Sequence, residues 1–398
     1  MVKVAVVGCG GAAWIGHLPW VWANCHAELT ATCDTNIDAA RQAAQRWGAP
    51  RFYGDILQML TEEPLDAVII ATPPDTHALM AHAALERGLH VLLEKPMACT
   101  VAECDELVRA QERSGAILMM SHEKRFNPGF EKIKEIIDDG LIGKVFYLVV
   151  HWSAAVRLDP QRLCPPDYRE SYKWRWTDPD AGGGILFDHL PHYLDLWRWW
   201  TGAELASIDA ELLNVRRDLI GDSERGGPHE DFAAALLKFT DGCIGVFESG
   251  NAGRGLSPIQ NIGSGVGEWS EYGMIYGTRG HLVFDVLPWD SPELPRIMVY
   301  SLENREPAYR GWFQIEMPDP LRAPGGPLSP RSNSHFQFKR QMDHFIDCIQ
   351  TRSTPLVTGG DGLATVAAVQ AAYQSHRTGD RVRLQPAEDC QPSGADCR

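Results

Sequence analysis

The 398-residue sequence contains no Cys-x-x-Cys pair among its ten cysteines, which removes the zinc ribbon and the thioredoxin-like redox motif from consideration. Cys9, Cys25, Cys33 and Cys243 are scattered and read as small buried apolar residues. No stretch approaches the ~20 apolar residues that a bilayer span requires, so no membrane partner is expected. Basic residues are in deficit: 37 Lys and Arg against 52 Asp and Glu leave a formal charge of −15. That balance argues against nucleic acid as a partner and favours a neutral or cationic small molecule. Internal repeats and extended low-complexity segments are missing too. The run Met1-Val2-Lys3-Val4-Ala5-Val6-Val7 passes straight into a glycine turn, without the charged region, apolar region and cleavage site of a secretory signal. A soluble cytoplasmic protein with reduced thiols is the expectation.

What is present is enough apolar residue, 44%, to build two substantial cores. Over the first 120 residues short β-branched runs alternate with Ala-rich stretches, the pattern of a parallel sheet wound with crossover helices. Strands are expected at Lys3 to Val7, Glu28 to Cys33, Ala67 to Ala71, His90 to Leu93 and Ile117 to Met120. Helices are expected from Ile37 to Arg46 and from His77 to Arg87, the second stopped by Gly88. Beyond Phe126-Asn127-Pro128 the pattern changes. A helix over Gly129 to Asp139 leads into an apolar run, Val145 to Trp152. Strand-like segments then follow at Ser207 to Leu213, Asp231 to Phe239, Gly245 to Ser249, Tyr272 to Tyr276 and His281 to Phe284. With few helices between them, an antiparallel sheet fits better than further crossovers. Pro288 to Pro295 and Pro318 to Pro330 read as loops, and Phe336 to Gln350 and Gly362 to Arg377 as closing helices. The fold class is therefore α/β, with residues 1–122 as a nucleotide-binding domain of the doubly wound kind, 123–384 as a second, mostly antiparallel α/β domain, and 385–398 as a flexible tail.

Gly8-Cys9-Gly10-Gly11-Ala12-Ala13 supplies G-x-G-x-x-A directly after an apolar strand. The first glycine permits a tight turn, the second lets backbone approach a pyrophosphate, and small Ala13 allows close helix-strand packing. Phosphate oxygens would then meet free N–H groups at a helix start. Taken alone, the pattern is equally an ordinary glycine turn. Asp34, ending the second expected strand, stands near the ~20-residue spacing at which an acid meets ribose hydroxyls. No cation follows until Arg41, so a 2′-phosphate would be repelled without compensation, and NAD is favoured over NADP. Asp34-Thr35-Asn36 also suits a helix N-cap, the competing reading.

Glu94-Lys95-Pro96 is the most specific motif. Together with the glycine turn, the run Ala71-Thr72-Pro73-Pro74-Asp75-Thr76-His77, and Gly182-Gly183-Gly184 followed by Asp188 and His192, it resembles the Gfo/Idh/MocA oxidoreductase family. The resemblance extends from Val2 to about Leu384, since Gly359-Gly360-Asp361-Gly362 and the last helix match that family's ending. It implies a Rossmann domain, an open second domain whose sheet often forms the oligomer interface, and therefore a homodimer or homotetramer. It also implies that Lys95, Asp188 and His192 face the nicotinamide, and it sets Thr72, Pro73, His77, Glu94 and Lys95 beside Gly8, Gly10, Gly11, Ala12, Ala13 and Asp34 as cofactor residues. Where the family commonly has glycine between Asp and His, this chain has Leu190 and Pro191, so a different helix entry is expected.

Oxidising a secondary alcohol needs a base for the hydroxyl proton, a cation near the developing alkoxide and an oriented nicotinamide. His192, whose ordinary pKa is near ~6.5, is the candidate proton acceptor and Lys95 the alkoxide stabiliser. Lys95 would also depress neighbouring cations. Asp188, four residues before His192, shares its helical face and would orient the imidazole or bind substrate. As alternatives, Lys95 is a surface lysine ending a strand, and Asp188, His189, His192 and Asp195 are a helical metal set; no metal is expected. His189 and Asp195 are assigned packing, capping or supporting roles. Tyr172, Trp174, Arg175 and Trp176 form a candidate substrate wall, aromatic faces suiting sugar C–H surfaces, although such tryptophans are equally core. Trp14, Trp20 and Trp22 are ambiguous in the same way, while Trp197, Trp199 and Trp200 read as a buried helix face. Lys124 and Arg125 are further substrate candidates against a default of solvated charge.

The expected function is NAD-dependent oxidation of a secondary hydroxyl of a sugar, cyclitol or aminoglycoside-type glycoside, in the narrowest form at C3 of a glucosyl unit. Two alternatives stand beside it: an NAD-dependent glycosidase working by transient C3 oxidation and elimination, and a nucleotide sensor without catalysis. A sensor needs only the cofactor site, and the presence of Lys95, Asp188 and His192 counts against it.

Overall fold

The computed structural model describes residues 1–154, 182–215, 229–250, 269–286, 296–302, 311–315 and 336–384. Tyr172, Trp174, Arg175 and Trp176, the loops at 288–295 and 318–330 and the tail at 385–398 lie outside these residues.

The first sheet has six strands, all parallel, in the order β3-β2-β1-β4-β5-β6. They are β1 (Val2–Val7), β2 (Ala27–Cys33), β3 (Arg51–Tyr53), β4 (Ala67–Ile70), β5 (His90–Glu94) and β6 (Leu118–Ser121). The five strands read from apolar runs are all present. The sixth, β3, is three residues long at the sheet edge and partly exposed, too short and too polar to announce itself. Crossover helices α1 (Leu18–Ala23), α2 (Ile37–Trp47), α3 (Ile56–Glu62), α4 (Pro74–Leu85) and α5 (Val101–Ser114) connect the strands. Because β1 pairs β2 on one side and β4 on the other, the winding reverses there, and a crevice opens beyond the carboxyl ends of these strands.

The second sheet has nine strands in the order β14-β13-β12-β11-β7-β10-β9-β8-β15. Its strands are β7 (Val145–Ala154), β8 (Leu205–Leu213), β9 (Phe232–Phe239), β10 (Ile244–Gly250), β11 (Trp269–Gly277), β12 (Gly280–Val286), β13 (Arg296–Ser301), β14 (Gly311–Gln314) and β15 (Val382–Arg383). Every pairing is antiparallel except β7 with β10. Helices α6 (Pro128–Asp138), α7 (Ile185–Thr201) and α9 (Gly359–Thr378) pack on one face. From α7, Leu190, Tyr193, Leu194, Trp197 and Trp200 enter a core with Phe130, Phe239, Phe247 and Phe284. Losing a side chain such as Trp197, fully buried, costs about 3–5 kcal/mol, so α7 is firmly seated. Trp20 is buried as well, while Trp22 is exposed and Trp14 half-buried against Trp47.

Helix α8 (Phe336–Thr351) returns to the first core: Phe338, Met342, Phe345 and Ile346 join the cluster built on β1, β4 and β5. Met120 N then donates to Val357 O at 3.2 Å. The closing helices thus bind the two sheets together. Among the described residues no helix is long and apolar enough to cross a membrane.

Candidate active site

The glycine turn comes first. Gly8 adopts φ +86°, and a Cβ there would sit 2.5 Å from Ala71 O, so β1 and the end of β4 approach closely only because the residue is glycine. The chain becomes helical from Gly11, leaving first-turn amides to face an anion. A cavity of about 510 Å³ opens over this turn and is lined by Gly8, Gly10, Gly11, Ala12, Asp34, Thr72, Pro73, Glu94 and Lys95. Ala13 and His77 do not line it. Ala13 is fully buried, in the packing role its size suits. His77 is fully buried with Nδ1 2.8 Å from Pro96 O and Nε2 2.8 Å from Thr72 O. Both ring nitrogens face backbone carbonyls, one of which accepts the ring N–H, so His77 braces the cavity floor instead of meeting a ligand.

Asp34 accepts from Cys9 N and from Asn36 N, each at 2.8 Å. The N-cap of α2 is Asn36, whose side chain accepts from Asp38 N and Ala39 N, so Asp34 is not a capping residue. Its carboxylate is clamped to the glycine turn with lone pairs left for the cavity it lines. Arg41 is drawn away by Asp38, Nη1 to Oδ1 2.5 Å, and lies over Phe52.

On the opposite wall stand Gly182, Gly183, Gly184, Ile185, Phe187 and Asp188. Gly184, at φ +103°, leaves room for Glu230, whose Oε1 would meet an added Cβ at 2.3 Å. Glu230 accepts from Leu186 N at 3.0 Å and from Tyr373 Oη at 2.9 Å, satisfying a first-turn amide that Gly184 cannot cap. The helix then runs unbroken across Pro191 to Thr201, so Leu190 and Pro191 do not interrupt it. Asp188 and His192 fall one turn apart.

Lys95 Nζ donates to Asp188 Oδ1 at 2.6 Å and to Asp188 O at 3.1 Å. Asp188 is therefore engaged with Lys95, where the spacing alone suggested His192. Below them Glu94 Oε1 accepts from Ser121 Oγ and meets His17 Nε2, each at 2.8 Å. Burial would raise the Glu94 carboxyl, but His17, Lys95 and Ser121 outweigh it and hold it below the ordinary range. His192 lies with Nδ1 3.6 Å from Glu123 Oε2. Burial, then Lys95 and Lys124, depress its imidazole well below the ordinary value, against an opposing pull from Asp188.

Lys124 and Arg125 separate here. Lys124 bonds Glu271, which also accepts from Tyr193 Oη, and its ammonium lies 5.2 Å from the Tyr193 ring centroid. Arg125 is 5% exposed and turned away. Its guanidinium grips Asp195 through Nε at 2.8 Å and Nη2 at 2.7 Å, and reaches Asp361 at 3.0 Å and Leu356 O at 2.9 Å. Two carboxylates and a carbonyl occupy its donors, so Arg125 is an interior tie between β6, α7 and α9, not a substrate contact. The same pairing removes Asp195 from any metal set. His189 bonds Ser249 Oγ at 2.7 Å, a supporting role. The sequence reading does not single out Glu123 or Glu271. The signal for Glu123 was an acid between basic residues directly after the last Rossmann strand.

Residues 2–122 match the family model for the Gfo/Idh/MocA oxidoreductase family, NAD-binding Rossmann fold, and residues 130–283 that for the Gfo/Idh/MocA C-terminal domain. The chain belongs to the Gfo/Idh/MocA family of NAD-binding oxidoreductases. It is 27% identical over 389 residues to D-apiose dehydrogenase of Paraburkholderia graminis, covering 97% of this chain and 90% of that protein. It is 25% identical over 391 residues to scyllo-inositol 2-dehydrogenase (NAD+) of Bacillus subtilis, covering 96% of each. Its fold matches levoglucosan dehydrogenase, solved with NADH and levoglucosan, at TM-score 0.77 and 22% identity, covering 97% of this chain and 100% of that one.

The residues fit the dinucleotide. Gly8, Gly10 and Gly11 line the cavity with backbone and no side chain, and Asp34 presents a carboxylate to the same cavity at the ribose spacing along the chain. When bound, NAD supplies a hydride acceptor.

Proposed function

We propose that the protein oxidises a secondary hydroxyl of a sugar or cyclitol to a ketone with NAD. His192 accepts the hydroxyl proton, Lys95 stabilises the oxygen as it gains negative charge, and Asp188 holds the Lys95 ammonium in place. The observation that carries this reading is the contact of Lys95 Nζ with Asp188 at 2.6 Å, on a cavity wall that continues from the glycine turn, with His192 one helical turn further on. A cation at the developing alkoxide and a neutral imidazole beside it are what alcohol oxidation requires. The depressed His192 is in its proton-accepting form at neutral pH. The names of the sugar and cyclitol dehydrogenases among the relatives support the substrate class. Within it, the acidic balance favours neutral or cationic substrates, including C3 of a glucosyl unit in an aminoglycoside-type glycoside.

Residues 1–122 serve as the cofactor domain and 123–384 as the substrate domain, and the second sheet joins copies of the chain. Its face away from α6, α7 and α9 carries Tyr147, Tyr276, His281, Tyr300 and Trp312 in one row across five strands, neighbouring rings 5.3–6.0 Å apart. An aromatic row of this extent suits burial against a second copy.

The test is NADH absorbance with a panel of aldoses, cyclitols, glycosides and aminoglycosides. Turnover with at least one polyol is expected. Glycoside cleavage that needs catalytic NAD yet accumulates no NADH would replace net oxidation with redox-assisted elimination, and no reaction with any member would reject the reading.

A further inference from the structure

Glu123 is a buried carboxyl next to the proposed base. It is 4% exposed, follows β6, and faces His192 Nδ1 at 3.6 Å. That nitrogen is itself buried and has no hydrogen-bond partner. Leaving a buried imidazole nitrogen unpaired beside a carboxyl is costly unless the two share a proton. We infer that Glu123 is the positioning residue of His192: it holds the ring with Nδ1–H toward the carboxylate, turns Nε2 to the substrate hydroxyl, and takes the proton onward. This rests on the hydroxyl-oxidation reading above.

The groups around the pair decide which way the proton goes. Lys95 reaches it from the end of β5, Lys124 and His122 from the segment carrying Glu123, Asp188 from α7, and Glu94 from β5. Burial and the two lysines make the imidazolium unfavourable. Burial pushes Glu123 up to about 7, Glu94 adding to the rise while Lys124 and Lys95 oppose it. At neutral pH the imidazole is therefore a poor resting place for a proton and the carboxyl a good one.

In the oxidation the C–H bond breaks with its electron pair, which leaves as hydride to the bound cofactor. The O–H bond breaks with its proton passing to Nε2. Nδ1–H then yields its proton to Glu123 Oε2, and the imidazole is neutral again as the other tautomer. One proton enters the pair and two electrons leave the substrate. In the reverse direction the protonated carboxyl recharges His192.

The arrangement resembles an acid holding a catalytic histidine in the correct tautomer, where loss of the acid is expensive in rate. The experiment compares wild type, Glu123→Gln, Glu123→Asp and His192→Ala. The imidazole of His192, identified by its absence in His192→Ala, is followed by nitrogen NMR across pH with NADH bound. In wild type the ring nitrogens are expected to report the neighbouring Glu123 carboxyl titrating at about 7, and in Glu123→Gln that step is expected to be absent. With a turned-over substrate, kcat falls on the order of 10²-fold while KM and NADH affinity stay within about threefold of wild type. Glu123→Asp, keeping the charge, restores the titration and most of the rate.

An unchanged His192 titration in Glu123→Gln, or an unchanged pH profile of kcat, overturns the pairing. If Glu123→Gln loses NADH binding through misfolding, Glu123→Asp decides: a titration unlike wild type overturns the pairing, a wild-type one supports it. The titration needs no substrate, so it stands apart from the underlying reading, which fails instead if His192→Ala oxidises the substrate at the wild-type rate.

Discussion

Lys95, at the carboxyl end of β5, and Asp188, in the first turn of α7, meet through a 2.6 Å ion pair. The side chains are 10% and 25% exposed, so the pair sits at the rim of the cavity with its charge close to whatever binds there. Neither domain holds such a contact alone. The two groups stand 93 positions apart in the sequence, and the fold brings them together on the cavity wall.

Cofactor choice is expected to depend on Asp34. Its two oxygens are fixed by the amides of Cys9 and Asn36, so the carboxylate cannot swing away from a 2′-phosphate. Asp34→Asn keeps an acceptor for Cys9 but removes the charge. NAD affinity is expected to fall about 3- to 10-fold, and discrimination against NADP to narrow by at least about tenfold, in line with the energy of hydrogen bonds to charged groups. Fluorescence titration with NADH and NADPH measures both. Unaltered discrimination would remove Asp34 from cofactor selection.

Arg125 is expected to matter for folding more than for substrate binding. Removing one member of a buried ion pair strands the other, at about 3–5 kcal/mol. Arg125→Met leaves Asp195, 1% exposed, and Asp361 without their shared cation. Urea denaturation should show a loss in that range, with KM little changed in the folded fraction. A loss below about 1 kcal/mol, the scale of exposed pairs, would contradict the interior role.

The same network gives a pH dependence of definite sign. Burial would raise the Asp361 carboxyl, but Arg125, the Thr358 amide and Arg198 outweigh it and hold it at about 2. A folded pKa below the unfolded one contributes stability that is complete above about pH 4 and is lost as pH falls toward the folded value. The stability gap between wild type and Asp361→Asn, measured by urea midpoints, is therefore expected to be constant above about pH 5 and to shrink below about pH 4. A gap that widens on acidification would reverse the assigned sign.

Much of the fold was legible because its signals are local. Val2 to Val7, Ala67 to Ile70 and the other buried parallel strands are continuous apolar runs, and Gly88 ends its helix as its backbone freedom permits. The site motifs were legible for the same reason: the Gly8 turn and Glu94-Lys95-Pro96 are short and contiguous. What escaped depends on partners far along the chain. Nothing near Arg125 reveals that Asp195 and Asp361 will enclose it, and the motif around His77 does not show that Pro96 O and Thr72 O face both ring nitrogens. The apolar face of Phe338, Met342 and Phe345 identifies a helix without saying that it returns to the first core. Asp188 was placed on the face of His192 by spacing, while its closer partner, Lys95, comes from the other domain.

The most direct test of the site is Lys95→Met, assayed for NADH formation and, separately, for NADH binding. If Lys95 stabilises the alkoxide, kcat falls by at least about 10²-fold, the scale of removing a charge-stabilising donor, while the dissociation constant of NADH changes by less than about tenfold because the glycine turn and Asp34 remain. Turnover by Lys95→Met at the wild-type rate would contradict the assignment of Lys95 and, with it, the proposed chemistry of the cleft.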